Sequence, residues 1–186
     1  MKEYTKTQTS ILDIAQELSQ TRGFNGFSYR DIADRIGIRT ASIHHHFRTK
    51  SDLGTAMTER YRETFQQAVR RLDGDPKKLL EGFAELFLNT LQAGRMCLCG
   101  TLAVEYETLP ASMQTEVRAF FLDNERWLTE VFRRAKEDGR FSKDKSAEEL
   151  ATAFLSALEG AMMSARALGE ARRFRVTVEQ FLQAMN

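Results

Sequence analysis

The side chains best able to ligate a metal or to react belong to three consecutive histidines, His44–His46, and to two cysteines, Cys97 and Cys99. Imidazole and thiolate groups are the usual ligands of zinc in proteins. Consecutive residues of a helix point in different directions, so the three histidines cannot hold one ion together. The two cysteines lack the second Cys or His pair that a structural zinc site needs. We therefore expect no metal site and no cofactor.

The two thiols leave a different chemistry open. Cysteines this close in sequence rarely reach disulfide geometry, so no structural disulfide is expected. A thiol near a ligand pocket could trap an electrophile or an oxidant if it is held as the thiolate, which Arg95 and a helix N-terminus at Gly100 would favour. Free buried cysteines more often behave as small hydrophobes. Sensing by the thiols and plain packing are both open at this point.

Signatures of the common enzyme classes are missing from the sequence. It has no glycine-rich phosphate loop, no Gly-x-Ser-x-Gly elbow and no His-Glu-x-x-His pair. The nearest pair of carboxylates, Glu105 and Glu107, would face apart on a helix. We therefore expect a binding protein and not an enzyme.

Composition and charge favour an all-α protein of the cytoplasm. No run approaches the roughly 20 apolar residues that cross a bilayer, and the polar N-terminus lacks the apolar core of a secretion signal. Only two prolines interrupt the chain, and runs of alternating β-type residues are absent. The net charge of +1 is unevenly spread, because residues 1–50 carry eight Lys or Arg against five Asp or Glu. A polyanion is therefore expected to bind at the N-terminal end.

The elements that position these residues begin with a short helix-turn-helix. A first helix is predicted over 7–21, a second begins after the N-cap Ser28 and ends at Gly37, and a third runs over 40–46. Two short helices joined by a glycine turn, with the small Ala33 between them, are typical of this motif, although a generic helical hairpin shows the same features. Longer amphipathic helices are predicted over 51–72, 77–93, 101–107, 112–138, 146–168 and 177–185.

The N-terminal segment resembles the head of TetR-type transcriptional regulators. Residues 26–53 carry the resemblance, with the sequence GFSYRDIADRIGIRTASIHHHFRTKSDL. That family shows a Gly, then Thr/Ser, Ile-Ala, Gly-Val/Ile, a small-residue pair, two ring side chains before Phe, and Ser/Thr-Lys-x-x-Leu at this spacing. His44 departs from the pattern, which usually has Tyr there. The resemblance implies an all-α fold of about nine helices, with a helix-turn-helix DNA-binding domain over 1–50 and a ligand-binding and dimerisation body over 51–186.

By this resemblance, the third helix enters the major groove of double-stranded DNA. The residues expected to read base edges are Arg39, Thr40, Ser42 and His44. The residues expected to contact phosphates are Ser28, Tyr29, Arg30, His45 and Lys50. Side-chain chemistry agrees, because Arg can donate two hydrogen bonds to guanine, whereas Thr and Ser can donate one or contact a thymine methyl. One chain carries one recognition helix, so a palindromic operator requires a homodimer.

The resemblance also implies a body that binds a small-molecule inducer between its middle helices. The candidate lining residues combine aromatic and sulfur-containing side chains with a few polar groups. They are Phe83, Phe87, Cys97, Cys99, Tyr106, Phe120, Phe121, Asn124, Trp127, Met162 and Met163. Aromatic residues at helical spacing are more often plain core, so for each of them that alternative stays open. As a set they favour an apolar or aromatic ligand whose binding releases the DNA.

The last two predicted helices carry matching apolar stripes. These are Ala147, Leu150, Ala151, Phe154, Leu155, Leu158, Ala161 and Ala165 on one helix, and Val178, Phe181, Leu182 and Met185 on the other. The stripes could form a four-helix interface between two subunits, or the core of a single chain. The predicted function is a DNA-binding transcriptional regulator, with repression as the family's commoner mode. The alternatives are a regulator that senses through its thiols, and a helical ligand-binding or adaptor module without specific DNA binding.

Overall fold

The structure is a computed structural model that describes residues 2–140 and 144–183. These residues form nine α-helices and one short 3-10 helix, with no strand, which confirms the all-α prediction. The α-helices are α1 (Lys6–Arg22), α2 (Tyr29–Ile36), α3 (Thr40–His46), α4 (Lys50–Arg70), α5 (Pro76–Gln92), α6 (Leu98–Val104), α7 (Ala111–Glu137), α8 (Ala147–Leu168) and α9 (Arg172–Gln183). The 3-10 helix (Tyr106–Thr108) follows α6. Within the described ranges, no helix is long and apolar enough to cross a membrane.

Seven of the nine helices lie within two residues of their predicted bounds, and capping residues mark the starts of several of them. The side chain of Asp75 accepts a hydrogen bond from the Lys78 N–H at 3.0 Å, and that of Ser146 accepts one from the Glu149 N–H at 3.1 Å. Such caps satisfy amides that the first turn of a helix leaves unpaired. Gly37 ends α2 in the left-handed conformation, with φ of 77°, which costs glycine little.

The predicted bounds of two helices were wrong. α6 begins at Leu98, three residues earlier than expected, because Leu98 and Leu102 are buried in phase with each other. α9 begins at Arg172, five residues earlier than expected. Phe174 is almost fully buried and continues the apolar phase of α9 towards its start. The arginines on either side of Phe174 made this turn look like a polar loop.

The chain divides into two compact units. Unit 1 consists of residues 1–65 and 98–120, and unit 2 of residues 66–97 together with the described part of 121–186. Unit 1 therefore contains α1–α3, most of α4, α6 and the start of α7. The predicted functional boundary at residue 50 stays a prediction, because packing units do not say which residues bind DNA.

The interior of unit 1 is built on the first three helices. Ile11, Leu18, Ile32 and Ile43 from these helices are fully buried, so each presents one apolar face to a common core. The small Ala33 is buried as well, which fits the close approach of α2 to its neighbours. This core fixes the direction in which α3 presents its remaining face.

The apolar stripe of α8 is buried in the interior of unit 2. Leu150, Phe154 and Leu158 are buried within the chain itself, and the Phe154 ring packs 4.9 Å from that of Phe181 on α9. The α8 stripe therefore packs within the chain, whereas Val178 and Phe181 of the α9 stripe are only half-buried, and the predicted interface with a second subunit stays a prediction. Met185 lies outside the described residues.

Candidate nucleic-acid interface and effector site

Tyr29 joins the start of α2 to the end of α3. Its ring is buried and its hydroxyl donates a hydrogen bond to the Phe47 carbonyl at 2.9 Å. Burial, and secondarily the charge of Asp52, raises the pKa of Tyr29 to about 12, so the hydroxyl stays a donor. The His44 ring packs against Tyr29 with centroids 4.7 Å apart. The contact expected between Tyr29 and a phosphate stays a prediction, and in the free protein this hydroxyl serves the fold.

Lys50 holds the loop between α1 and α2. Its ammonium donates to the carbonyl of Phe24 at 2.6 Å and to that of Phe27, and it lies 4.3 Å from the Phe27 ring centroid. Burial lowers the pKa of this half-buried lysine, and the Glu105 carboxylate opposes the shift. Two of its three protons are therefore engaged within the protein. Its role as a phosphate anchor stays a prediction.

The same loop is held from the other side by Glu105, the residue after α6. Its carboxylate accepts hydrogen bonds from the backbone N–H of Phe24 at 2.7 Å and of Asn25 at 3.4 Å. Asn25 also donates from its side chain to Thr108 at 2.9 Å. These contacts lie within unit 1 and join residues about 80 positions apart in sequence.

The outward face of α3 follows from the burial of Ile43. With Ile43 pointing inward, the helical rotation of about 100° per residue turns Ala41 and His45 directly outward and places Ser42 and His44 on the flanks. All four are exposed, as is Arg39 at the N-cap, whereas Thr40 is half-buried. His44 Nδ1 lies 3.2 Å from the Arg48 carbonyl oxygen, which fixes its ring beside Tyr29.

The remaining predicted phosphate ligands lie around the start of α2. Ser28 caps this helix, and its hydroxyl donates to Asp31 at 2.6 Å, the hydrogen bond that chiefly holds the pKa of Asp31 below its ordinary value. Arg30 is exposed and lies 3.9 Å from Asp34 in a loose ion pair. Such a solvated pair contributes little to stability, so the Arg30 guanidinium can move to another anion.

Sequence reasoning missed two exposed residues of this surface. Ala41 lies at the centre of the outward face of α3, and Arg48 is exposed just after the helix. Ile43 is the one buried residue of α3, and its position two residues after Ala41 was the signal that places Ala41 on the opposite, outward face. It also places His45 on the outward face of α3, and the phosphate contact expected of this residue stays a prediction.

The predicted effector residues are divided between the two units. Those in unit 2 are Phe83, Phe87, Cys97, Phe121, Asn124, Trp127, Met162 and Met163, and those in unit 1 are Cys99, Tyr106 and Phe120. In unit 1, the Phe120 ring packs on Phe65 and Tyr61 of α4, with centroids 5.0 and 5.7 Å apart, so it belongs to an aromatic cluster of its own.

An aromatic stack occupies the interior of unit 2. The rings of Phe83 and Trp127 are stacked with centroids 5.4 Å apart, and Phe83 also packs on Phe87. Phe83 and Phe87 are buried, whereas Trp127 keeps some exposure. On α8, Met162 is buried and Met163 is exposed. The structure thus brings three of the aromatic candidates together and turns Met163 away from the interior.

Two polar side chains enter the interior of unit 2. Asn124 is fully buried and accepts a hydrogen bond from the Gln66 amide at 3.2 Å. Glu159 of α8 was missed in the sequence, although its spacing from Leu155 and Met162 places it in phase with the buried stripe. Cys97, also buried, donates a hydrogen bond from its thiol to Glu159.

Both Cys97 and Cys99 are buried, and Cys99 belongs to the other unit. The packing alternative therefore gains support over thiol-based sensing, which stays a prediction.

Comparison with known proteins identifies the chain as similar to regulatory proteins of the tetR family over most of its length. The family model of bacterial regulatory proteins of the tetR family matches residues 11–57, and that of the tetracyclin repressor-like C-terminal domain matches residues 76–181. A solved TetR-family transcriptional regulator from Agrobacterium tumefaciens is 35% identical, with a TM-score of 0.92 over 96% of this chain and 97% of that one.

Two curated relatives are more distant. The transcriptional regulator AcuR of Cereibacter sphaeroides is 27% identical over 84% of this chain and 75% of its own length. The HTH-type transcriptional repressor NemR of Escherichia coli is 24% identical over 75% of this chain and 73% of its own length.

Proposed function

This chain belongs to the TetR family of bacterial regulatory proteins, and from that membership we propose that it is a repressor released from DNA by a small molecule. It is a DNA-binding transcriptional regulator of the cytoplasm that binds a palindromic operator as a homodimer. The observation that carries the proposal is the exposed outward face of α3, which is held by a fully buried Ile43 and presents side chains able to read bases. A repressor among the relatives supports the direction of control.

Four residues of α3 and its N-cap read the operator. Arg39 is exposed, and no hydrogen bond or ion pair holds its guanidinium within the described part of the chain, so it is free to fork to guanine. Ser42 and His45 offer hydrogen bonds to base edges, and the methyl group of Ala41 suits contact with thymine. Arg30 and Arg48 flank this face and contact phosphates.

Selection of binding sites from random duplex DNA tests this proposal. The selected sequences should contain two inverted half-sites about one helical turn apart. Arg39→Ala should weaken binding to the selected site by about 1–3 kcal/mol, while binding to random DNA changes little. Arg71→Ala, an exposed arginine after α4, is the matched control. Equal losses for the two variants, or selected sequences without inverted repeats, would exclude the assigned role of α3.

The homodimer forms through the exposed side of α8 and α9. Met163 is 54% exposed, Leu168 56% and Val176 41%, so they are three of only five large hydrophobic residues exposed among the described residues. Gly160 on the same side of α8 would meet no atom within 4 Å if it carried a methyl group, which leaves room for close approach of a second helix. The α8 stripe is buried within the chain, so we place the interface on these exposed residues.

Charge substitution on this side tests the interface. Met163→Glu together with Val176→Glu should convert the dimer to a monomer, since an unpaired charge buried at an interface costs several kcal/mol. Leu122→Glu, at an exposed leucine of α7, is the control and should leave the dimer intact. Light scattering reports the mass of each variant. A dimer that survives the double substitution would place the interface elsewhere.

The effector binds in unit 2, near the Phe83–Trp127 stack. Leu98, the first residue of α6, directly follows Cys97 in the chain, so a ligand that displaces Cys97 also displaces the start of α6. Glu105 then transmits this displacement to Phe24 and Asn25, just before α2. Release requires the effector to bind the conformation with low affinity for DNA more tightly than the conformation that binds DNA. A ligand with equal affinity for both would leave their populations unchanged.

A paired measurement tests release. Small aromatic compounds that change Trp127 fluorescence should also reduce binding to the selected DNA. In Glu105→Gln, whose neutral amide is a weaker acceptor for the two amides, the fluorescence change should persist while the loss of DNA binding shrinks. Compounds that alter Trp127 fluorescence yet never release the DNA would contradict the proposed coupling.

A further inference from the structure

Glu159 is an anomaly in the interior of unit 2. The residue as a whole is half-buried, but its Oε1 atom is out of contact with solvent and has no hydrogen-bond partner. Among the described residues it is the one buried side-chain oxygen or nitrogen in this condition. Burial raises the pKa of Glu159 to about 7, and the hydrogen bond from Cys97 works in the opposite direction.

The other buried polar side chains among the described residues have hydrogen-bond partners. Ser19 donates to the Ala15 carbonyl at 2.8 Å, Thr58 donates to the Gly54 carbonyl at 2.8 Å, Gln20 accepts from Gln16 at 3.4 Å, and Asn124 accepts from Gln66. Native proteins leave very few buried polar atoms unpaired, and each exception calls for an explanation. A glutamine or a leucine would fill the same position without a buried charge. A partner that is bound only part of the time explains why a carboxylate stands there.

We propose that Glu159 is the recognition group of the effector site, and that the effector carries a cationic nitrogen, such as an organic ammonium or amidinium, which pairs with Oε1. This inference rests on the proposed effector function and names the chemical class of the ligand. A cation supplies both the missing hydrogen bond and the missing charge, whereas a neutral donor supplies only the first. An anionic effector would be repelled by the same carboxylate.

The side chains of unit 2 fit an aromatic or alkyl ammonium compound. Cys97 donates to the carboxyl group while Oε1 stays without a partner, so Cys97 orients Glu159 and leaves Oε1 for the ligand. The same unit contains the Phe83–Trp127 stack, and aromatic faces attract cations as well as apolar groups. The proposed effector therefore combines an apolar body with one positive charge.

Three matched probes test this on the full chain: benzylamine, which is protonated at neutral pH, benzyl alcohol, which is neutral, and benzoate, which is an anion. Titrations are followed by Trp127 fluorescence and by the shift in melting temperature. Benzylamine should bind at least about ten-fold more tightly than either of the others, which is the ratio that corresponds to a modest charge-assisted hydrogen bond.

Substitution of the carboxylate then assigns the preference. Glu159→Gln should abolish the advantage of benzylamine and leave the affinity for benzyl alcohol unchanged. Glu148→Gln, an exposed glutamate in the first turn of α8, should behave like the wild type. Because Gln removes an unpaired buried charge, Glu159→Gln without ligand should melt at the same or a higher temperature, so a loss of binding cannot be ascribed to misfolding.

Three results would overturn the inference. These are benzylamine binding no better than benzyl alcohol, a preference for benzylamine that survives Glu159→Gln, and dissociation of the dimer by Glu159→Gln, which would show that a second copy supplies the partner of Oε1. If the protein still binds its selected DNA and other compounds release it, only this inference fails. If no compound releases the DNA, the proposed function fails as well.

Discussion

The buried carboxyl group of Glu159 makes the stability of this protein depend on pH in a defined window. The pKa of the group rises from its ordinary value of 4.5 to about 7 on folding. The folded state therefore binds the proton more tightly than the unfolded state between these two values. By proton linkage, the free energy of unfolding must then fall as the pH rises from about 4.5 to about 7, and no further change from this group is expected above that.

The magnitude follows from the shift. Each unit of pKa corresponds to about 1.4 kcal/mol, so the full effect is up to about 3 kcal/mol, and the partial exposure of the residue makes this an upper value. Glu159→Gln carries no titrating proton. The variant should therefore equal the wild type or fall slightly below it at pH 4.5, and exceed it by up to about 3 kcal/mol at pH 7.5.

Urea unfolding at a series of pH values measures this difference directly. The wild type, Glu159→Gln and Glu148→Gln are compared at one protein concentration, because dimer formation makes apparent stability depend on concentration. Subtraction of the two curves cancels every other titrating group that the variants share. A difference that is constant across pH 4.5–7.5, or that changes in the opposite direction, would refute the burial of an ionised Glu159. The same dependence in Glu148→Gln relative to the wild type would refute it as well.

Two further predictions concern unit 1. Tyr29→Phe removes the hydrogen bond to the Phe47 carbonyl and should lower the free energy of unfolding by about 1–2 kcal/mol; thermal melts check this, and an unchanged melt would mean that the bond contributes nothing. Gly54→Ala would place a methyl group against Met113 Sδ and 2.7 Å from the Phe24 ring, so it should destabilise the protein by about 1–3 kcal/mol despite the better helix propensity of Ala. A stabilised Gly54→Ala would contradict the close packing.

Local signals in the sequence were enough for most of the fold. Helices with a polar N-cap or a terminal glycine, such as those that begin after Asp75 and Ser146, have the bounds that their caps predict. The start of α9 was predicted wrongly because its first turn contains a single buried residue, Phe174, among exposed arginines. One apolar residue does not define a helical phase in the sequence. Tertiary packing, and not propensity, decides the start of this helix.

The candidate sites were only partly predictable for a related reason. The exposed face of α3 follows from one residue, Ile43, and the sequence contains it. The isolation of Glu159 does not follow from sequence, because a glutamate in phase with an apolar stripe is usually paired or turned to solvent. Only the three-dimensional packing around Glu159 shows that its Oε1 atom has no partner. Likewise, the apolar stripe of α8 could not be assigned to one chain or to two until its neighbours were in place.

The hydrogen bonds from Phe24 and Asn25 to Glu105 have a consequence for the construction of hybrid regulators. A reader head cut from this chain at residue 50 or 57 would lose the carboxylate that holds the loop before α2. It would also lose Met113, which packs beside Gly54 and Phe24. A hybrid that takes its DNA-binding domain from one relative should therefore take residues 98–120 from the same relative, or keep an acidic residue at the position of Glu105. In a hybrid without these residues, the loop before α2 would lose the carboxylate that accepts its hydrogen bonds. Its DNA binding would then lose specificity even though every residue that contacts DNA is present.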